Sequence, residues 1–172
     1  CRIYFMTNRL TDGNKLLNEK ILKYPNNTKL LRFKCFRNLL DGNFDEGWKL
    51  YKYSQSNFNI RFPTIPEWMG EDLSSKKILV YNEQGIGDAI QFSKYLINLN
   101  KTCKNIDFIT NKNLIEIFDV KDYVGLNLIK DENIDLNKYN FKISLVSLVK
   151  YFYKDFKITK KNLIKIDLDT VN

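Results

Sequence analysis

Residues 79–92 read LVYNEQGIGDAIQF, and the fold class turns on them. The run from Ile78 is β-branched and aliphatic and reads as a short buried strand over 78–82. A turn containing Gly85 and Gly87 follows. Glycine there would permit positive φ and a close backbone approach. An amphipathic helix is then expected over 88–99, with Ala89, Phe92, Leu96 and Leu99 on one face. Asp88 falls at the start of that helix, where the free N–H groups and the helix dipole stabilise a carboxylate.

Working toward the C-terminus, the strand–helix alternation continues. IDFIT (106–110) reads as a second strand and KNLIEIF (112–118) as a short helix. GLNLI (125–129) and FKISLVS (141–147) read as further strands, and LVKYFY (148–153) as a helix. Strands alternating with helices imply right-handed crossovers, so the expected class is α/β: a Rossmann-like parallel sheet with helices on both faces. This domain is assigned to 78–153, and 154–172 reads as a tail leading out of it.

Upstream, residues 57–77 (NFNIRFPTIPEWMGEDLSSKK) read as a connector. Pro63 and Pro66 stiffen it, and Trp68 and Met69 are expected to dock on a neighbour. Residues 1–56 read as an all-helical segment. Leu10, Leu16, Leu17, Ile21 and Leu22 fall at helical spacing, and the run stops at Tyr24-Pro25-Asn26-Asn27. Thr28 is an expected N-cap for a second helix with Leu30, Leu31, Phe33, Phe36, Leu39 and Leu40. Asp41-Gly42-Asn43 ends it, and a third helix carries Phe44, Trp48 and Tyr51 on one face. The YPNN–helix–DGNFDEGW–helix order resembles a tetratricopeptide repeat, a helical hairpin of about 34 residues. Gly47 departs from it, standing where that repeat prefers Ala.

Composition narrows the chemistry. The 172 residues include no histidine, which excludes a Ser-His-Asp triad, a Cys-His pair, His-ligated metal and a His proton shuttle. Cys1, Cys35 and Cys103 are too few and too scattered for a disulfide framework or a four-cysteine zinc site, and reduced thiols in the cytoplasm are expected. No metal site is expected, and the acidic pairs Glu71-Asp72, Asp131-Glu132 and Asp167/Asp169 read as solvated loops. No apolar run approaches the roughly 18 residues of a membrane helix, and no signal peptide is visible. The chain does not begin with Met, and a longer product is the expected source. Of 28 basic residues only five are Arg. Residues 1–60 carry 11 basic and 5 acidic side chains, dispersed as on a solvated helical face, and no nucleic-acid partner is expected. Trp68, Tyr151, Phe152 and Tyr153 fit either a core or a stacking platform. Cys103, beside Lys101 and Lys104, reads as a structural thiol.

Three readings of the 82–88 turn fit its residues. As a dinucleotide fingerprint it lacks the third Gly of G-x-G-x-x-G, having Ile90 there. As a structural element it is a turn with Asp88 as helix cap. As a catalytic loop it offers Glu83 or Asp88 as a carboxylate base.

The string NFDEGWKLY…FPTIPEWMGEDLSSKKILVYNEQGIGDAIQFSKYL resembles the junction of bacterial tetratricopeptide-repeat glycosyltransferases, in which an EQGxGDxIQFxRY loop follows a W-x-G-E-D-L connector. The resemblance covers about 25–150 and is strongest over 61–96. It implies kinship with heptosyltransferases and O-linked N-acetylglucosaminyl transferases, and the two-Rossmann-domain GT-B fold. It implies that this chain holds the acceptor-side half. Asp88 would be the general base, with Glu83, Gln84, Gly85, Gly87 and Gln91 lining the cleft. Lys94 stands where the family usually has Arg. The resemblance implies a nucleotide sugar as donor, no cofactor within this chain, and a glycan or protein acceptor. The donor-binding domain of that family would follow the tail, so the isolated chain is expected to be inactive. Two other function classes stay open: a protein-interaction module working through the repeat-like helices, and a nucleotide- or phosphate-binding α/β domain. Self-association into a homo-oligomer through exposed apolar faces is a further expectation.

Overall fold

The structure is a computed structural model that describes residues 2–54, 61–110, 112–130 and 134–155. Cys1, the acidic residues Asp131, Glu132, Asp167 and Asp169, and the tail from 156 onward lie outside the described residues. The chain divides into two compact units, Cys1–Asn59 and Ile60–Asn172.

The first unit is helical: α1 (Arg2–Met6), α2 (Leu10–Lys23), α3 (Thr28–Leu40) and α4 (Phe44–Leu50), the last running into a 3₁₀ turn at Tyr51–Tyr53. The helix boundaries match the turn residues. α2 ends at Lys23, just before Pro25. The N-cap of α3 is Asn27, not Thr28: its side chain accepts from the Leu30 N–H, and Thr28 is the first helical residue. Gly42 takes the left-handed φ of 78° that the α3–α4 turn needs.

Gly47 has a packing reason. A Cβ built there would lie 2.5 Å from Leu39 Cδ2, and its carbonyl accepts from the buried Cys35 thiol at 3.2 Å. The two helices approach too closely at this point for a methyl group. Gly47→Ala, although it improves helix propensity, is therefore expected to destabilise this unit by about 1–3 kcal/mol through overpacking against Leu39. Urea unfolding followed by circular dichroism would measure it, and a stabilised variant would show that the hairpin relaxes at no cost.

The second unit is α/β. Its strands are β1 (Ile78–Tyr81), β2 (Ile106–Ile109), β3 (Leu126–Ile129) and β4 (Phe141–Ser144). They form one all-parallel sheet in the order β3-β2-β1-β4, flanked by helices, a Rossmann-like arrangement. The connecting helices are α5 (Ile86–Phe92), α6 (Lys94–Thr102) and α7 (Lys112–Ile115), with α8 (Val149–Phe152) after β4. The single helix expected over 88–99 is two. They break at Ser93, whose hydroxyl donates to Ile90 O at 2.8 Å and whose carbonyl accepts from the Leu96 N–H. A side chain that bonds the preceding turn bends a helix in this way.

β1 is central and fully buried, as its unbroken aliphatic run requires. Alternation divides the sheet residues into two sets. Ile78, Val80, Ile106, Phe108, Leu126, Leu128, Phe141 and Ile143 share one face. The other face carries Leu79, Tyr81, Ile109 and Ile129, and also Lys142, Asp107, Asn127 and Ser144. Its apolar part packs under Phe62, Ile65, Ile134, Leu136 and Tyr139. The stretch from Arg61 to Trp68 is therefore no free linker. It lies over this sheet face as a strap and also closes the β4 edge: Lys142 N–H donates to Pro66 O and Lys142 O accepts from the Trp68 N–H, both at 2.8 Å. Trp68 docks as expected, buried against Tyr151 at 4.4 Å and Phe152 at 6.3 Å between ring centroids. Met69 does not dock. It is 62% exposed, and Gly70 follows it at φ 110°, beside the Tyr151 ring.

Candidate functional site

In an open parallel sheet, ligands bind beyond the carboxyl ends of the strands where the chain reverses direction across the sheet. Here β2 and β3 lie on one side of β1 and β4 on the other, so that place is the exit of β1 and β4. The β1 exit is Asn82–Asp88 and the β4 exit is Leu145–Ser147. The two are tied by Leu145 N–H to Tyr81 O at 2.9 Å.

The turn after β1 is built by Asn82. Its Nδ2 donates to Gln84 O at 2.9 Å, while its Oδ1 accepts from the Gln84 N–H at 3.4 Å. A short amide that bonds its own backbone two residues on is what a tight turn uses. The backbone on either side is held as well. Asn82 N–H donates to Ile109 O at 3.1 Å, and Arg61 Nη1 donates to Asn82 O at 3.1 Å.

Gly85 and Gly87 do not take positive φ, contrary to the sequence expectation. Gly85 is extended at φ −67°, ψ 174°, and is the N-cap of α5. Gly87 is its second helical residue, and a Cβ there would meet nothing within 4 Å. Both are exposed and lie at the open side of the turn. Asp88 is not the cap but the third residue of α5, half-buried, with Oδ2 3.9 Å from where a Gly85 Cβ would stand. At that position its negative charge opposes the helix dipole favourably. Gln91 is one turn further along α5 and exposed. Gln84 is half-buried in the turn itself. Glu83 is half-buried, and solvent does not reach its carboxylate oxygens. So the chain brings Glu83, Gln84, Gly85, Gly87, Asp88 and Gln91 onto one turn and the first turns of one helix.

Residues outside that set complete the surroundings. Tyr81 ends β1, with its ring edge-on to Phe62 at 5.7 Å and the Arg61 guanidinium 5.8 Å from its centroid. Burial pushes the Tyr81 hydroxyl well above the usual phenol range. The negative charges of Glu67 and Glu83 push the same way, and Arg61 opposes them. At the β4 exit, the Ser144 and Ser147 hydroxyls are 2.7 Å apart, and Ser147 N–H donates to Ser144 Oγ. Arg61, Tyr81, Ser144 and Ser147 were not singled out by sequence. Arg61 carried one signal: it is the only Arg after residue 37.

Elsewhere the candidates resolve into structure. Glu71 Oε2 accepts from the Met69 N–H, and the Asp72 carboxylate accepts from both Ser74 N–H and Ser74 Oγ. Those acids shape their own turn. The Cys35 thiol is buried and pushed up to about 11, and burial also raises Cys103, so neither is poised as a nucleophile. Among the described residues no group of three or more Cys, Asp or Glu could hold a metal ion. No helix among them is long and apolar enough to cross a membrane.

Comparison with protein-family models, with curated proteins and with solved structures finds no match to this chain.

Proposed function

We propose that this chain is the acceptor-side half of a glycosyltransferase. The transfer moves a sugar from a nucleotide-sugar donor, bound by a second Rossmann-like domain, to a hydroxyl of a glycan or protein. The observation that carries the reading is the position of Asp88. It stands half-buried at the carboxyl end of the central strand, on the open side of the turn, at the point where the sheet topology makes a crevice. Such a carboxylate can take a proton from an acceptor hydroxyl. The hydroxyl oxygen then bonds to the anomeric carbon as the bond from that carbon to the nucleoside diphosphate breaks, and the diphosphate leaves with the electron pair. Glu83 is the poorer base because solvent does not reach its oxygens in this conformation.

The EQGIGD turn and the WMGEDL connector support the same reading through their likeness to tetratricopeptide-repeat glycosyltransferases. The α3–α4 hairpin fits the repeat part of that architecture and would present a protein partner. Buried, unpaired thiols at Cys35 and Cys103 fit work in the reducing cytoplasm, where nucleotide sugars are made.

The test is transfer. In a polypeptide that joins this chain to a donor-binding domain, Asp88→Asn should lower turnover by about 10²–10⁴-fold with little change in thermal stability. Product formation would be followed by mass spectrometry over a panel of nucleotide sugars. Turnover unchanged in that variant would remove Asp88 from the chemistry, and robust transfer by the 172 residues alone would overturn the division into halves.

A further inference from the structure

We propose that Lys142 is a positioning residue for the 82–88 turn, acting through Arg61. The inference rests on reading that turn as the functional segment.

Lys142 is 5% exposed and sits on an edge strand with its side chain on the strap-covered sheet face. Its Nζ donates to Arg61 O at 2.6 Å and to Phe62 O at 2.9 Å. Its own backbone is bonded to Pro66 and Trp68. One residue therefore holds the strap at both of its ends. The strap needs holding, because Phe62 has φ 54°, a left-handed conformation that a bulky L side chain adopts only under constraint. Constrained there, the chain delivers the Arg61 guanidinium to two places at the exit of β1: Asn82 O, which opens the candidate turn, and the face of the Tyr81 ring.

A buried ammonium is an expensive strut. A methionine of similar length would fill the same volume without the cost of desolvating a charge. What methionine could not do is satisfy two strap carbonyls at once. The charge is thus explained by where it puts Arg61 rather than by what it contributes to the core. The strap's own Glu67 carboxylate, paired with Lys142 across the β4 edge, favours the ammonium and adds to its hold on the strap, whereas Asp107 is two strands away and has partners of its own.

The experiment is amide hydrogen exchange on the full chain, comparing Lys142→Met, Arg61→Ala and the double variant. The reporting amides are Gln84, bonded to Asn82 Oδ1, and Ala89, bonded to Gly85 O. The reference amides are Val80 and Phe108 in the central strands. Each single variant is expected to speed Gln84 and Ala89 by about tenfold with the reference amides unchanged, and the double variant to be no faster than either single one. Arg61→Ala, which removes a half-buried side chain but no core group, keeps the inference testable if Lys142→Met does not fold. Three results would overturn it: turn amides unaffected, turn and reference amides accelerated together, or effects that simply add. The readout needs no substrate, so it stands apart from the Asp88→Asn transfer assay. A coupled Lys142–Arg61 pair with an inert Asp88 would refute the glycosyltransferase reading alone.

Discussion

Gly125→Ala is expected to unfold the α/β unit. Gly125 has φ 81°, and a Cβ on it would lie 1.8 Å from the Lys104 carbonyl oxygen and 2.4 Å from its carbon. The obstacle is backbone, not the movable end of a side chain. Lys104 cannot retreat, because the chain on either side of it is fixed. Ile106 N–H donates to Gly125 O at 2.7 Å to start the β2–β3 pairing, and Cys103 N–H donates to Leu99 O at the end of α6. The buried Asn100 side chain holds the other wall, donating to Val124 O at 3.0 Å. An added methyl group must therefore push β3 off β2 or break this corner. Backbone strain alone costs about 1–3 kcal/mol, and the clash adds to it. A loss of about 4 kcal/mol or more is expected, enough to move the thermal midpoint by about 15 °C or to abolish the folded unit. Thermal unfolding followed by tyrosine and tryptophan circular dichroism would measure it. A midpoint within a few degrees of the parent would mean that the β2–β3 corner is soft.

That corner also marks where reading the sequence reaches its limit. The four strands were legible as short apolar runs between turn residues: β1, β2 and β3 lie within one residue of their expected bounds, whereas β4 stops at Ser144, three residues short of the expected Ser147, because the chain turns into a 3₁₀ helix at Val146–Leu148. Gly125, by contrast, reads as the first residue of a strand. Its constraint comes from Lys104, which is distant in sequence, and no local pattern announces it. The same holds at the site. The EQGIGD turn was visible as a strand-to-helix transition, yet the cap fell on Gly85 rather than Asp88 because Asn82 takes the turn hydrogen bonds and lets α5 begin two residues earlier. The strap read as a linker because its prolines and lack of periodicity hide the fact that its backbone pairs with β4. Lys142 did leave a trace. In FKIS it occupies a position whose strand neighbour is Leu79, so a lysine there had to be either a register error or a buried charge with a purpose.

Asp107→Ala is expected to be the most damaging change to a polar residue, at about 3–5 kcal/mol. Asp107 stands mid-strand in β2, 5% exposed, where a parallel sheet calls for an aliphatic residue. Its charge is tolerated because three groups converge on it: Lys77 Nζ at 2.7 Å, the Tyr139 hydroxyl donating at 2.7 Å and Asn127 Nδ2 donating at 2.9 Å. These come from the residue before β1, the turn before β4 and the middle of β3, so one carboxylate ties together the starts and centres of all four strands. Removing it leaves the Lys77 ammonium, only 25% exposed, beside an empty site, with Asn127 and Tyr139 deprived of their acceptor. Burial by itself would raise the carboxyl's pKa. The hydrogen bonds from Lys77, Asn127 and Tyr139, with the Lys77 charge, outweigh it and hold the group below the usual carboxylate range. The sign of the pH dependence follows. A carboxyl that is more acidic folded than unfolded adds stability that is complete above its unfolded pKa of about 3.9 and is lost as pH falls through the lower folded value. Urea midpoints measured from pH 7 down to pH 2 should therefore drop below about pH 4 in the parent protein. The Asp107→Ala variant should start lower and lose that part of the acid limb. A variant whose acid limb ran parallel to the parent's down to pH 2 would show that this carboxylate is not what couples the sheet to pH, whatever its removal cost at neutrality.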